Sequence, residues 1–273
     1  MGRDGLLVLG FDHRDGRTVL TERRYALPLQ VLEVMALETD AASLMLLNPT
    51  GGVLGGDRLE TRVRLGEGAH VCLTTPSATR VYRSTGVAAE QRFTAALGPG
   101  ARLEYMPDHL IPSPGARLRQ RTDIRLAPGA TALVWDAWAV GRPARAETWG
   151  FAELDIALRI EDARGPLLHE RARLEGRPFW AGLGGAESMA YVGTFVVAGD
   201  SSVDWTGLTR ALAEGAGDGA ADARMGVTPL GRGGVLARVL APSAPALTRV
   251  VGALWARARG LVFDRPPLDL RKL

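Results

Sequence analysis

Alternation of apolar and charged residues runs through the first two thirds of the chain and predicts β-strands with one wet face. In Asp57–Leu65, Leu59, Thr61, Val63 and Leu65 fall on one side, and Arg58, Glu60, Arg62 and Arg64 on the other. Arg117–Leu126 repeats the pattern, with Leu118, Ile124 and Leu126 opposite Arg117, Arg119, Arg121 and Arg125. Ala152–Ile160 does so again, grouping Leu154, Ile156, Leu158 and Ile160. Such strands are expected to be half-buried and antiparallel. Their arginines, Arg119 and Arg121 among them, are expected to be ordinary solvated groups.

A turn recurs between the strands. Leu65-Gly66-Glu67-Gly68-Ala69, Leu97-Gly98-Pro99-Gly100-Ala101 and Leu126-Ala127-Pro128-Gly129-Ala130 each end one strand and begin another, at a period of about 30 residues. The glycines supply positive φ, and Pro99 and Pro128 preset the bend. The expected fold is mainly β: stacked, helically twisted sheets forming a sandwich or a short β-helix.

The last third reads differently. Asp204 is placed to cap a short helix ending near Glu214, with Trp205, Leu208 and Leu212 on one side. Gly215–Gly226 reads as a mobile loop. Ser243 then precedes a helix from about Pro245 to Arg259. Leu247, Val250, Val251, Leu254, Ala258 and Leu261 keep helical spacing, and Gly260 is placed to end it. From Arg265 on, two prolines predict an irregular tail. No linker divides the chain, so one domain over residues 1–273 is expected, strand-rich to about residue 200.

Composition excludes several classes. A single cysteine, Cys72, rules out an internal disulfide and suits a reducing compartment. The segment Met1–Leu9 is too weakly apolar for a secretory signal, and Gly, Pro or charge interrupts every apolar run before it could span a bilayer. A cytoplasmic protein without membrane contact is expected. The 33 basic residues, nearly all arginine, are spread among 30 acidic ones. They form no stripe with interleaved aromatics, so no nucleic-acid binding is expected.

Catalytic signatures are missing: neither G-x-S-x-G nor H-E-x-x-H occurs. Gly51-Gly52-Val53-Leu54-Gly55-Gly56-Asp57 lacks the Lys-Ser/Thr of a phosphate loop and reads as a turn. His70 and Cys72 share a strand face, and Asp108 adjoins His109. These are weak metal candidates. A stable site needs three or four convergent ligands, so no tight metal is expected, while transient passage of one stays open. Asp136 falls on the face shared by Ala132, Val134 and Trp138, beside Trp135. A carboxylate there is either hydrogen-bonded by structure or faces a channel or partner. The stretch Thr74–Arg83 is either a hydroxyl-rich loop that satisfies its own backbone or a binding surface anchored by Arg80 and Tyr82.

Taken together, these segments resemble the UreD/UreH urease accessory proteins. The run Asn48-Pro49-Thr50-Gly51-Gly52-Val53-Leu54-Gly55-Gly56-Asp57-Arg58-Leu59 is similar to that family's N-P-x-G-G-x-x-G-G-D. Leu73–Ser84 is similar to its L-T-T-Q-x-x-T-K-x-Y, and Gly98–Pro107 to its G-x-x-L-E-x-x-P. Gly141-Arg142 with Glu147 is similar to G-R-x-x-x-G-E, and Gly226–Leu230 and Val235–Leu240 follow in family order. The chain departs from the pattern at Pro76 for glutamine, Arg80 for lysine and Ala146 for glycine. Asp108 and His109 also follow the proline where glutamine is common.

The resemblance implies a β-rich, helically twisted body with two short helices. It implies a non-catalytic scaffold that binds apo-urease and a second accessory protein, which in turn recruits a nickel-carrying GTPase. Nickel insertion would run through an internal polar passage, with nickel transient and no cofactor held tightly. By motif match, the candidates for passage or interface are Asp57, Thr74, Thr75, Ser77, Arg80, Tyr82, Glu104, Asp136, Arg142 and Glu147. Asn48, Pro49, Gly51, Gly52, Gly55 and Gly56 would build the turn. Two bland readings stand beside these: Asp57 caps the glycine turn, and Arg142 with Glu147 forms a buried pair that fixes a loop. The rival functions are a β-helix carbohydrate-active enzyme using Asp/Glu as acid and base, and a β-sandwich binding module.

Overall fold

In the computed structural model, which describes residues 3–35, 37–200, 202–215 and 222–270, the alternating segments assemble into one sheet and the continuously apolar ones into another. Among the described residues the first sheet has seven strands. They are β1 (Asp4–Arg14), β2 (Arg17–Ala26), β5 (Arg58–Leu65), β8 (Ala89–Leu97), β11 (Arg117–Leu126), β15 (Glu153–Asp162) and β16 (Gly165–Leu174). The second has ten. Its first half comprises β3 (Gln30–Val31), β4 (Ala42–Leu47), β6 (His70–Thr74), β7 (Thr79–Val81) and β9 (Arg102–Met106). The rest are β10 (Leu110–Pro112), β12 (Thr131–Ala139), β17 (Tyr191–Gly199), β18 (Arg224–Pro229) and β19 (Gly234–Ala241). A separate small hairpin joins β13 (Gly141–Arg142) to β14 (Glu147–Thr148).

The sheets are mainly parallel, which corrects the antiparallel expectation. β1, β5, β8, β11 and β15 pair in parallel, and so do β4, β6, β9 and β12. Antiparallel pairing is kept for the ends, at β1–β2, β15–β16, β3–β4 and the run β12–β17–β19–β18. The recurring turn is the cause. It carries the chain from the first sheet across to the second, so the next strand in either sheet arrives one coil later in the same direction. Alternation reports a wet face and is silent on strand direction.

The turns themselves follow their local chemistry. Gly68, Gly100 and Gly129 have φ of 67°, 62° and 72° at the third turn position. Ala69, Ala101 and Ala130 close the turns by donating to Gly66, Gly98 and Ala127 carbonyls at 3.2, 3.1 and 3.1 Å. Successive turns also bond to one another, Gly68 N–H to the Pro99 carbonyl at 2.9 Å and Gly100 N–H to that of Pro128 at 3.0 Å. The repeat is therefore a physical stack of coils.

Two apolar layers result. Between the sheets lie Leu7, Leu9, Val63, Leu118, Ile124 and Ile160 from one side, and Leu44, Leu73, Leu103, Val134 and Val196 from the other. The second sheet is buried on both faces, which is why Ala132–Trp135 and Phe195–Ala198 are unbroken apolar runs. Its far face, with Leu133, Trp135, Phe195 and Val239, packs under α1 (Trp205–Glu214) and α2 (Ala244–Ala258). Both helix caps form as expected: the Asp204 carboxylate accepts from Gly207 N–H, and the Ser243 hydroxyl from Ala246 N–H.

Two details of the last third differ from expectation. Gly260 does not stop the second helix. The chain winds through a wider π-helical turn at Arg259–Phe263, which buries Phe263, and stops at Asp264 with φ 52°. Leu261 is left 57% exposed, outside the core. Gly226 belongs to β18, so the loop ends earlier than its composition suggests, and residues 216–221 of that loop lie outside the described residues. Among the described residues no helix is long and apolar enough to cross a membrane.

The first sheet's outer face explains the arginine count. Asp4, Arg58, Glu90, Arg119, Asp155 and Arg173 are successive register partners across six strands, alternating in sign. Opposite charges facing across strands stabilise the pairing. The arginines there answer to acids of this same sheet.

Candidate functional site

Apolar side chains fill most of the space between the sheets, and several of the polar exceptions fall in a row. On the first sheet, Gln91 and Gln120 are register partners on adjacent strands. Facing them, Tyr105 projects from β9 and Asp136 from β12. The Gln120 amide donates to Asp136 Oδ1 at 3.0 Å, bridging the sheets. Asp136 is in register with Thr194 on β17, and Thr194 with Arg238 on β19. These three, with Glu170 of β16, line a cavity of about 60 Å³ walled by Trp138 and Ile156. Arg238 Nη1 donates to Glu170 Oε1 at 2.6 Å and to the Thr194 hydroxyl at 3.2 Å. The other Glu170 oxygen, Oε2, is buried with no hydrogen-bond donor among the described residues.

Burial pushes the Asp136 carboxyl up to about 6; the Gln120 bond restrains the rise and the nearby Glu170 charge adds to it. Tyr105 is likewise raised by burial, with the Asp136 charge contributing, so it stays a neutral phenol. The seam thus offers neutral oxygens and one or two carboxylates, a set suited to accommodating a cation.

At its other end the seam opens. Gln91 and Tyr105 also line a cavity of about 380 Å³ between the loops at 48–52 and 75–80. Thr75, Ser77 and Arg80 stand at this mouth. The glycine loop is held by its own side chains: Asn48 accepts from the Thr50 hydroxyl at 2.7 Å and donates to the Gly52 carbonyl at 3.3 Å. Tyr82 donates to the Gly51 carbonyl at 3.2 Å. Gly52 has φ 151°, and a Cβ there would lie 2.4 Å from the Arg80 carbonyl, so the two loops meet only because no side chain intervenes. Gly56 also takes positive φ, Gly55 packs on Ser84, and Pro49 is exposed at the tip.

A family model described as UreD urease accessory protein matches residues 3–272. The chain belongs to the UreD family. The UreD of Cupriavidus necator is 35% identical over 94% of this chain and 86% of its own length. That of Alkalilimnicola ehrlichii is 34% identical over 99% and 91% respectively, and that of Leptothrix cholodnii 34% over 98% and 97%.

Seen in the fold, the UreD motif residues separate into groups. Thr75, Ser77, Arg80 and Tyr82 gather around the mouth, and Asp136 lies inside the seam. Asp57 is buried and turned to the backbone, Oδ1 accepting from Arg3 N–H and Oδ2 from Leu54 N–H, both at 2.9 Å. That is the capping geometry. Thr74 is fully buried and donates to the Met106 carbonyl at 2.6 Å. Arg142 and Glu147 pair at 2.6 Å across their hairpin, each about a third exposed, so the pair is not buried and lines neither cavity. Ala146, where the family pattern has glycine, sits at φ 55°, a conformation glycine adopts without strain.

Glu104 faces away from the seam, under α2. It accepts from His70 Nε2 at 2.7 Å, Trp255 Nε1 at 2.5 Å and Arg259 Nη1 at 2.6 Å. Burial opposes its ionisation, but the His70 bond and the Arg259 charge outweigh it and hold its pKa below the ordinary value. Arg259, fully buried, also bonds Glu38 at 2.6 Å, and Arg265 bonds Asp40. His70 and Cys72 do share a strand face, and it is this one, while His109 packs edge-on to Tyr191. Asp108 instead accepts from the Thr75 hydroxyl at 3.2 Å. Among the described residues no three His, Cys, Asp or Glu side chains are placed to hold a metal.

Gln91, Gln120, Glu170 and Arg238 were not singled out by sequence. Gln120 did carry a signal, being a polar residue on the apolar stripe between Leu118 and Ile124.

Proposed function

We propose that this chain acts in urease maturation as a non-catalytic scaffold through which nickel reaches apo-urease. The observation that carries the reading is the polar row from the mouth at Thr75 and Arg80, past Gln91, Tyr105 and Gln120, to Asp136. A polar line through an apolar core is costly unless it serves something. Family membership supports the setting, since the relatives bear the name urease accessory protein. On this reading the partners are apo-urease and a second accessory protein, with a nickel-carrying GTPase recruited indirectly, in the cytoplasm. Nickel is cargo here, held loosely because ligands around Asp136 are few.

At Asp136 and Glu170 the carbohydrate-active alternative is disfavoured by size, since about 60 Å³ there admits a few waters and no sugar ring. The deciding experiment is urease activation in a reconstituted system, comparing the wild-type chain with Asp136→Asn. The variant should fold and bind its partners while the activated urease carries less nickel. Undiminished nickel would remove Asp136 from the passage. Purified protein should also show no hydrolase, lyase or nucleotidase turnover, and NTP hydrolysis surviving rigorous repurification would overturn the scaffold reading.

A further inference from the structure

Arg238 is a charged residue on an inward face. It lies on β19 between Leu236 and Leu240, on the side that meets the first sheet. Its side chain is 46% exposed, so it reaches the rim of the sandwich, yet its guanidinium turns back across the gap to Glu170 on the opposite sheet. The second bond, to Thr194, places it one strand from Asp136. Arg238 thereby lines the small cavity at the far end of the seam and supplies the positive charge that pairs with Glu170.

We infer that Arg238 is a cationic gate: while it bonds Glu170 and Thr194 it holds the place of a divalent cation, and swinging outward it opens that place. This rests on the reading of the seam as a metal passage. With the guanidinium in, Glu170 is neutralised and Asp136 faces a like-charged competitor to any incoming metal. With it out, Glu170 Oε1 and the already unpartnered Oε2 face Asp136 and the Thr194 hydroxyl. That is an oxygen set a divalent cation accepts. The guanidinium has a way out, because the arginine is long and its side chain is 46% exposed. A cation arriving along the seam, or an acidic group of a docked partner at the rim, would displace it.

The test uses the full-length chain and nickel ion alone, by equilibrium dialysis or titration calorimetry. Arg238→Gln shortens the side chain, keeps a donor and drops the charge. It should tighten nickel binding by at least about tenfold, since a unit charge a few ångströms from a divalent ion is worth that much even when well screened. Arg238→Lys should bind like the wild type, and adding Asp136→Asn to Arg238→Gln should abolish the gain. Arg238→Ala, judged in the same way, replaces Arg238→Gln if that variant fails to fold. A folded Arg238→Gln that binds no more tightly than the wild type overturns the gate and leaves the passage reading standing. Equal tightening by lysine and glutamine also overturns it, because charge would then be irrelevant. If the gain appears and depends on Asp136, yet Asp136→Asn alone still yields fully nickel-loaded urease, the passage reading fails and the gate falls with it.

Discussion

Replacing Asp136 with asparagine removes one charge from the seam and preserves shape, because the asparagine carbonyl can still accept from Gln120. The carboxyl titrates at about 6 in the fold against 3.8 for an ordinary aspartate, mainly through burial. At about 1.4 kcal/mol per tenfold change in proton affinity, keeping it ionised costs at most about 3 kcal/mol at neutral pH. Its side chain is partly open to the cavity, where solvent screens the charge, so about 1–2 kcal/mol is the expected figure. The sign follows from linkage. A carboxyl with a raised folded pKa favours folding fully when protonated, below about pH 4, and has lost that contribution once the pH passes about 6. The asparagine side chain does not titrate. At about pH 7.5 the variant should therefore melt about 2–6 °C above the wild type, and the gap should shrink to about half by pH 5. Differential scanning calorimetry at both pH values, beside metal analysis of urease activated with each protein, separates stability from delivery. A variant that melts below the wild type at neutral pH would refute the burial argument, because the charge would then be stabilised by partners. A more stable variant that delivers less nickel is the signature of a residue retained for function at a cost in stability.

Other residues give independent checks. Arg119 pairs with Glu90 at 3.6 Å, both well exposed, so Arg119→Gln should alter unfolding free energy by about 0.5 kcal/mol or less in urea titrations. Arg121 departs from the solvated expectation, since it bonds the buried Asp155 at 2.6 Å. Arg121→Gln should cost about 1–2 kcal/mol. Asp155 is held well below the carboxylate range by Arg171 and Arg121, so this contribution is present above the ordinary carboxylate pKa and is lost as the pH falls below it. A cost unchanged on acidification would contradict the assignment. Arg259→Met strands Glu104 with His70 and Trp255, and should lose about 3–5 kcal/mol by chemical denaturation; a near-neutral result would mean that the cluster is hydrated. Gly52→Ala forces a Cβ against the Arg80 carbonyl, so it should lower stability by about 1–3 kcal/mol and speed proteolysis within residues 48–57. Unchanged cleavage would show that the loops part without strain.

Local chemistry made much of this protein legible from sequence. Period-two alternation reported the wet face of β5, β11 and β15, because side-chain direction in a strand depends only on position. The three glycine turns and the caps at Asp204 and Ser243 were readable for the same reason, since each is settled within four residues. Asp136 stood out as a carboxylate on an apolar face, and Gln120 carried a fainter version of that mark. Strand direction was not legible, because it depends on the turns sending each strand to the other sheet. The division of motif residues was equally hidden: Glu104 and Asp136 both lie in buried strands, yet they point to opposite faces of one sheet, and only the helices covering one face distinguish them. The Glu170–Arg238 contact spans 68 residues and two sheets, so its partners meet through the stacking of coils and share no local pattern. Tertiary structure decided where the polar exceptions meet, because a seam is made of residues whose only relation is to face one another across the core.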